Sequence, residues 1–97
     1  MKMKILMIDR NSISFDINVD LFAKLGDFEY HNTADVETSK TLIKDADVVI
    51  FNKTKMNEEI LAGATNIKLL CVTATGFDNI DLEYAKKRGI AACNIKD

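Results

Sequence analysis

Two short segments of this chain combine residue types and positions that suit a ligand: Asn52-Lys53-Thr54 and Thr75-Gly76. Each follows an apolar run, Val48 to Phe51 in the first case and Ile67 to Val72 in the second. A glycine just past a strand lets the backbone turn sharply and present consecutive N–H groups outward, and a lysine nearby supplies a mobile positive charge. Thr75, Gly76 and Lys53 together would suit a small anion such as a carboxylate. The same residues also fit plainer roles, a turn glycine and a solvated loop lysine.

The other reactive side chains point less clearly to chemistry. His31, the sole histidine, follows an outer strand with no evident acid partner. Asp78, Asn79 and Asp81 resemble a metal cluster superficially, but capping of the helix that follows explains them better, and no metal site is expected. Cys71 and Cys93 lie inside apolar runs without Cys-x-x-Cys spacing, which favours reduced, buried thiols in a cytoplasmic protein. No nucleophile with its base is visible, so no catalytic residue is assigned.

The elements that must hold these residues follow from hydrophobic pattern and punctuation. Lys4 to Ile8 is a short apolar run ending in Asp9-Arg10-Asn11, as expected for a strand buried on both faces. Ser14 to Leu25 is ambiguous between strand and helix; Gly26 as a helix stop favours a helix. A strand is expected over Phe28 to His31, and then a helix over Asp35 to Lys44 with Val36, Leu42 and Ile43 inward. Val48 to Phe51 is β-branched and aromatic, a third strand. Asn57 caps a helix carrying Glu58 and Glu59 in its first turn, Ile67 to Val72 is the fourth strand, and Asp81 or Asn79 caps a helix over Leu82 to Arg88 that stops at Gly89. Ile90 to Ile95 is the fifth strand.

Ninety-seven residues, 47% of them hydrophobic and 29% charged, describe one small domain, residues 1–97, with neither linker nor repeat. The net charge of -2 and a single short basic run, Lys86-Lys87-Arg88, leave no electrostatic footprint for nucleic acid. The longest uncharged apolar run is about a fifth of a bilayer span, so no membrane segment is expected. Strands alternating with helices across short turns indicate right-handed crossovers and a parallel α/β sheet. Two doubly wound strand orders compete. The dinucleotide-binding order places a glycine-rich turn after strand one, whereas Asp9-Arg10-Asn11-Ser12 contains no glycine. The flavodoxin-like order 2-1-3-4-5 is therefore expected, with ligands beyond the carboxyl ends of the central strands.

The series Val72-Thr73-Ala74-Thr75-Gly76-Phe77-Asp78-Asn79-Ile80-Asp81 carries a family resemblance, together with Asp45 to Ile50 and Asn52-Lys53-Thr54 upstream and Ala85 to Ile90 downstream. It resembles the amino-terminal part of the D-isomer-specific 2-hydroxyacid dehydrogenases, most specifically from Asp45 to Asn94. The resemblance implies a flavodoxin-like substrate-binding domain joined to a separate NAD(P)-binding domain, with the active site between them. The full enzyme would interconvert a 2-oxo acid and a D-2-hydroxy acid by hydride transfer. Thr75-Gly76 would offer backbone amides to the substrate carboxylate, and Asn52-Lys53 would line the same pocket. The family's catalytic Arg, Glu and His and its glycine-rich cofactor loop lie in later sequence.

The chain is accordingly expected to be the N-terminal part of a substrate-binding domain, without the NAD-binding domain, holding no cofactor and inactive alone. Its partners would be a small 2-oxo or 2-hydroxy carboxylate, the missing domain and further copies of itself. That last expectation arises because the sheet would lack its last helix, leaving large apolar side chains exposed. A receiver-like signalling module is the alternative of the same topology, with Asp9, Thr73 and Lys96 in suggestive places. Asn52, however, stands where phosphoryl acceptance needs a carboxylate. A ligand-free interaction domain is the third reading.

Overall fold

The computed structural model describes residues 3–8, 24, 26–31, 35–52, 54–73 and 79–94. Five strands, β1 (Met3–Met7), β2 (Gly26–Tyr30), β3 (Val48–Phe51), β4 (Leu69–Val72) and β5 (Ala91–Asn94), form one sheet in the order β2-β1-β3-β4-β5. Every pairing is parallel. This is the flavodoxin-like α/β arrangement expected from the sequence. The described helices are α1 (Val36–Ile43), α2 (Glu58–Leu61) and α3 (Leu82–Lys87). The helix expected over Ser14 to Leu25 lies outside the described residues apart from Lys24.

Strand side chains alternate between two faces because successive Cβ atoms point to opposite sides. Leu6, Ile8, Val49, Phe51, Leu70 and Val72 share one core with Ile43 of α1, Ile60 and Leu61 of α2 and Ala85 of α3. The alternate residues, Ile5, Met7, Val48, Ile50 and Cys71, form a second cluster on the opposite face, flanked by half-buried Phe28, Leu69 and Cys93. β3 is buried at all four positions, the mark of a strand covered on both faces. On the face expected to lie uncovered, Met7 and Ile50 are 0% exposed within the single chain, whereas Phe28 and Leu69 are half-buried.

Asp47 sets the register at the amino ends of the central strands. Its Oδ2 accepts from the Lys4 amide at 2.9 Å, its amide donates to the Lys4 carbonyl at 2.9 Å, and its carbonyl accepts from the Lys68 amide at 2.8 Å. One residue thereby fastens the entrances of β1 and β4 to β3.

Each helix begins where a side chain accepts an otherwise orphaned amide. Asp35 caps α1 through the Thr38 amide at 2.9 Å, and that hydrogen bond, joined by one from the Thr38 hydroxyl, holds the exposed Asp35 carboxyl below the usual carboxylate range. Asn57 caps α2 through Ile60, and Asp81 caps α3 through Tyr84. α3 ends at Gly89, whose φ of 72° is the left-handed conformation that favours glycine. The Gly89 amide returns to the Lys86 carbonyl and the Ile90 amide to that of Ala85, completing a paired C-terminal cap.

Two local expectations change. Val36 is 39% exposed, and the buried residues of α1 are Ser39 and Ile43. Gly26 is the first residue of β2, where a Cβ would run into the Met3 carbonyl, so it admits close approach of two strands.

Arg88 has a role beyond complementing the helix dipole. Its Nη1 donates to the Leu61 carbonyl at 3.0 Å and to the Tyr84 hydroxyl at 2.7 Å, and its Nη2 donates to the Ala64 carbonyl at 2.7 Å. Only a planar fork of donors closes the end of α2 and its following turn in this way. Arg88→Ala is expected to cost about 2–3 kcal/mol by urea denaturation, because hydrogen bonds from a charged donor to the Leu61 and Ala64 carbonyls are lost, while the Leu61 carbonyl keeps the Ala64 amide. Arg88→Lys should recover less than half of that loss. The buried Ser39 hydroxyl has no hydrogen-bond partner among the described residues. Ser39→Ala should therefore raise stability by about 1 kcal/mol in the same measurement, since it removes an unsatisfied group and adds helix propensity.

Candidate functional site

β3 and β4 end side by side, with Phe51 paired to Val72, so the segments that begin at Asn52 and Thr73 leave the sheet from neighbouring positions. The Thr73 amide donates to the Phe51 carbonyl at 2.9 Å, and its hydroxyl reaches the same oxygen at 3.3 Å, extending the pairing one step past the strand. The chain on either side of the two segments is then locked together. The Asn79 side-chain Nδ2 donates to the Asn52 carbonyl at 2.6 Å, while the Asn79 carbonyl accepts from the Met56 amide at 2.7 Å. The Asp81 amide donates back to the Met56 carbonyl at 2.9 Å, forming an isolated parallel bridge between Met56 and Ile80. Met56 is 0% exposed and Ile80 7% exposed, so the bridge is sealed by apolar side chains beneath it.

Of the four residues expected to bind a ligand, Asn52 is half-buried at the exit of β3 with its carbonyl held by Asn79. Lys53, Thr75 and Gly76 lie outside the described residues. The structure places their described neighbours, Asn52 and Thr54 on one side and Thr73 and Asn79 on the other, around one clamp. A shallow depression of about 220 Å³ lies along the clamp itself, lined by Lys55, Met56, Asn57, Asn79, Ile80 and Asp81. A larger hollow of about 410 Å³ sits between α1 and α2, against Lys40, Lys44 and Glu59, and contains none of the expected site residues.

The remaining candidates separate from this place. His31 does have an acid partner, contrary to expectation: its Nε2 lies 3.3 Å from Glu29 Oε2 on the exposed outer strand. β2 is two strand spacings from β3, about 10 Å, so an imidazole there is not aimed at the β3–β4 exit. Among the described residues no group of three or more potential ligands could hold a metal ion, and Asp81 serves as the cap of α3. Asn79, left open as a possible cap, instead cross-links the chain before α3 to the exit of β3. The signal for that was present: one helix needs one cap, and Asp81 supplies it.

Gly26 opens a strand, Gly63 follows α2 and Gly89 ends α3, so none of the described glycines forms a strand-to-helix turn that could cradle a pyrophosphate. No described helix is long and apolar enough to cross a membrane.

Comparison with known proteins agrees with this geometry. A profile of D-isomer specific 2-hydroxyacid dehydrogenase catalytic domains matches residues 5–97. The chain is 33% identical over 97 residues to a hydroxypyruvate reductase of Blautia hydrogenotrophica, covering 96% of this chain and 30% of that protein. It is 32% identical over 98 residues to a glycerate dehydrogenase of Methylorubrum extorquens, covering 100% of this chain and 31% of that protein. Among solved structures, a Pyrococcus horikoshii protein superposes with a TM-score of 0.86 at 29% identity, over 98% of this chain and 28% of the other. The NAD+-bound 3-phosphoglycerate dehydrogenase of Entamoeba histolytica gives 0.79 at 27% identity, over 97% and 33%. The chain belongs to the D-isomer specific 2-hydroxyacid dehydrogenase family, in its catalytic-domain portion. It spans about 30% of the length of the curated relatives it matches. That membership removes the support for a receiver-like module.

Asn79→Ala is expected to lower stability by about 1–3 kcal/mol, since the Asn52 carbonyl loses its donor in a half-buried place. Asn79→Asp should be at least as damaging at neutral pH, because it sets a carboxylate oxygen against that carbonyl. Urea denaturation with amide NMR checks both: the perturbed amides should centre on residues 52–57 rather than on α3.

Proposed function

We propose that this chain supplies the substrate-carboxylate side of an NAD(P)-dependent D-2-hydroxyacid dehydrogenase. The observation that carries the reading is the clamp: in a member of this family, Thr73 ties the exit of β4 to that of β3, and Asn79 and the Met56–Ile80 bridge tie together the chain beyond them. The segments leaving those exits carry Lys53 and Thr75-Gly76. Backbone N–H groups from Thr75 and Gly76 would grip the carboxylate of a small 2-oxo or 2-hydroxy acid, a charge-assisted arrangement stronger than neutral hydrogen bonds. Asn52 and Lys53 would close the same pocket from β3, with the ammonium offsetting the anion's charge.

The nicotinamide cofactor, when bound elsewhere on a complete enzyme, supplies the hydride. This chain's residues would bind and orient the acid only, so the chain by itself is inactive. One observation supports that division: the relatives extend to about three times this length.

Two measurements test the reading. Titrating the 15N-labelled chain with pyruvate or hydroxypyruvate should shift the amides of Thr75 and Gly76 first, with Asn52 and Lys53 following and the chloride control silent. Shifts confined to the hollow between α1 and α2 would overturn it. Mixing homogeneous chain with NADH and a panel of 2-oxo acids should give no oxidation of the cofactor; measurable turnover would refute the assignment of the redox machinery to other polypeptide.

A further inference from the structure

The two cysteines face each other across the last step of the sheet. Cys71 of β4 and Cys93 of β5 are direct register partners, and their Sγ atoms lie 3.2 Å apart as free thiols. Neighbouring strands run about 4.8 Å apart, inside the Cα separation of about 4.4–6.8 Å that a disulfide tolerates. Closing the bond therefore asks for side-chain rotation of about 1 Å rather than strand movement.

Access to the pair is asymmetric. Cys71 is 6% exposed within the second apolar cluster, whereas Cys93 on the edge strand is half-buried. We propose that Cys71 and Cys93 form an oxidisable dithiol site, in which Cys93 reacts with a low-molecular-weight disulfide such as glutathione disulfide and Cys71 resolves the adduct.

The exchange balances. The Cys93 thiolate attacks one sulfur of glutathione disulfide, a Cys93–glutathione bond forms, and one glutathione thiolate leaves. Cys71 then gives up its proton to solvent and attacks Cys93 Sγ, expelling the second glutathione. The protein loses two hydrogens and two electrons, and one disulfide becomes two thiols. Burial, the hydrogen bond with Cys93 and that neighbour's charge push the Cys71 thiol up to about 12, which keeps it inert toward external reagents. Two of those three causes depend on the Cys93 thiol and vanish once Cys93 is capped. Cys71 then meets a disulfide already in contact, where proximity compensates for its small thiolate fraction. This inference is independent of the proposed function, since neither sulfur belongs to the carboxylate site.

The test uses the whole reduced chain incubated with glutathione disulfide, followed by intact mass and tryptic mapping. The expected product has lost two hydrogens, links peptide 69–86 to peptide 89–96, and reverts with dithiothreitol. Cys71→Ala should accumulate a stable glutathione adduct on Cys93, and Cys93→Ser should acquire neither adduct nor cross-link. Three results would overturn the proposal: a persistent Cys93 adduct beside an alkylatable Cys71 in the unmodified chain, links between chains only, or no reaction where the urea-unfolded chain reacts.

Discussion

Asn79, just ahead of α3, ties the chain there to the exit of β3 with one side chain. Its amide nitrogen takes the Asn52 carbonyl at 2.6 Å, while its own backbone oxygen takes the Met56 amide. A parallel sheet leaves such a place open by construction: hydrogen bonding stops where strands end, and the loops beyond have backbone groups that must find partners elsewhere. Here the partners are each other. The buried bridge between Met56 and Ile80 makes the closure durable, because water is excluded from beneath it. A grip formed by two loops needs both loops held at fixed positions, and this closure fixes the chain beyond β3 against the chain before α3.

The opposite end of the sheet has a matching device in Asp47, whose backbone and carboxylate together fix β1 and β4 against β3. With both ends fastened, the all-buried β3 lies between two polar clasps. The arrangement divides labour plainly. Apolar alternation decides which face each strand residue occupies, and a few polar side chains decide register, which burial alone leaves free on a strand covered on both faces.

Much of this was legible in the residues. Val48 to Phe51 has no polar position at all, which marks a central parallel strand, and the absence of glycine after β1 separated the two competing strand orders. Asn57 was readable as a cap, and Asp81 as one of two candidates beside Asn79, because a short polar side chain before an apolar period has one efficient use. Arg88 was not readable as a fastener, since its targets, the carbonyls of Leu61 and Ala64, are backbone groups more than twenty residues away. Gly26 misled for a related reason. A glycine that ends a helix and one that admits a neighbouring strand look alike in sequence, and only the nearby Met3 carbonyl distinguishes them. At the site, Asn52 and the loop boundaries followed from the pattern, whereas the Asn79 cross-link required knowledge of which strands are neighbours.

The seating of β2 bears on the character of the sheet's outer margin. An outer strand presents unpaired backbone groups along one side and is a template for accidental stacking. Here Asp27 and Glu29 project exposed carboxylates along that margin, while position 26 tolerates nothing bulkier than hydrogen. The margin thus carries two acids, one of them shared with His31, and is seated tightly against β1 at its root. Neutralising those two acids would remove charge from an outer strand while leaving its attachment to β1 intact, which makes such a border more adhesive.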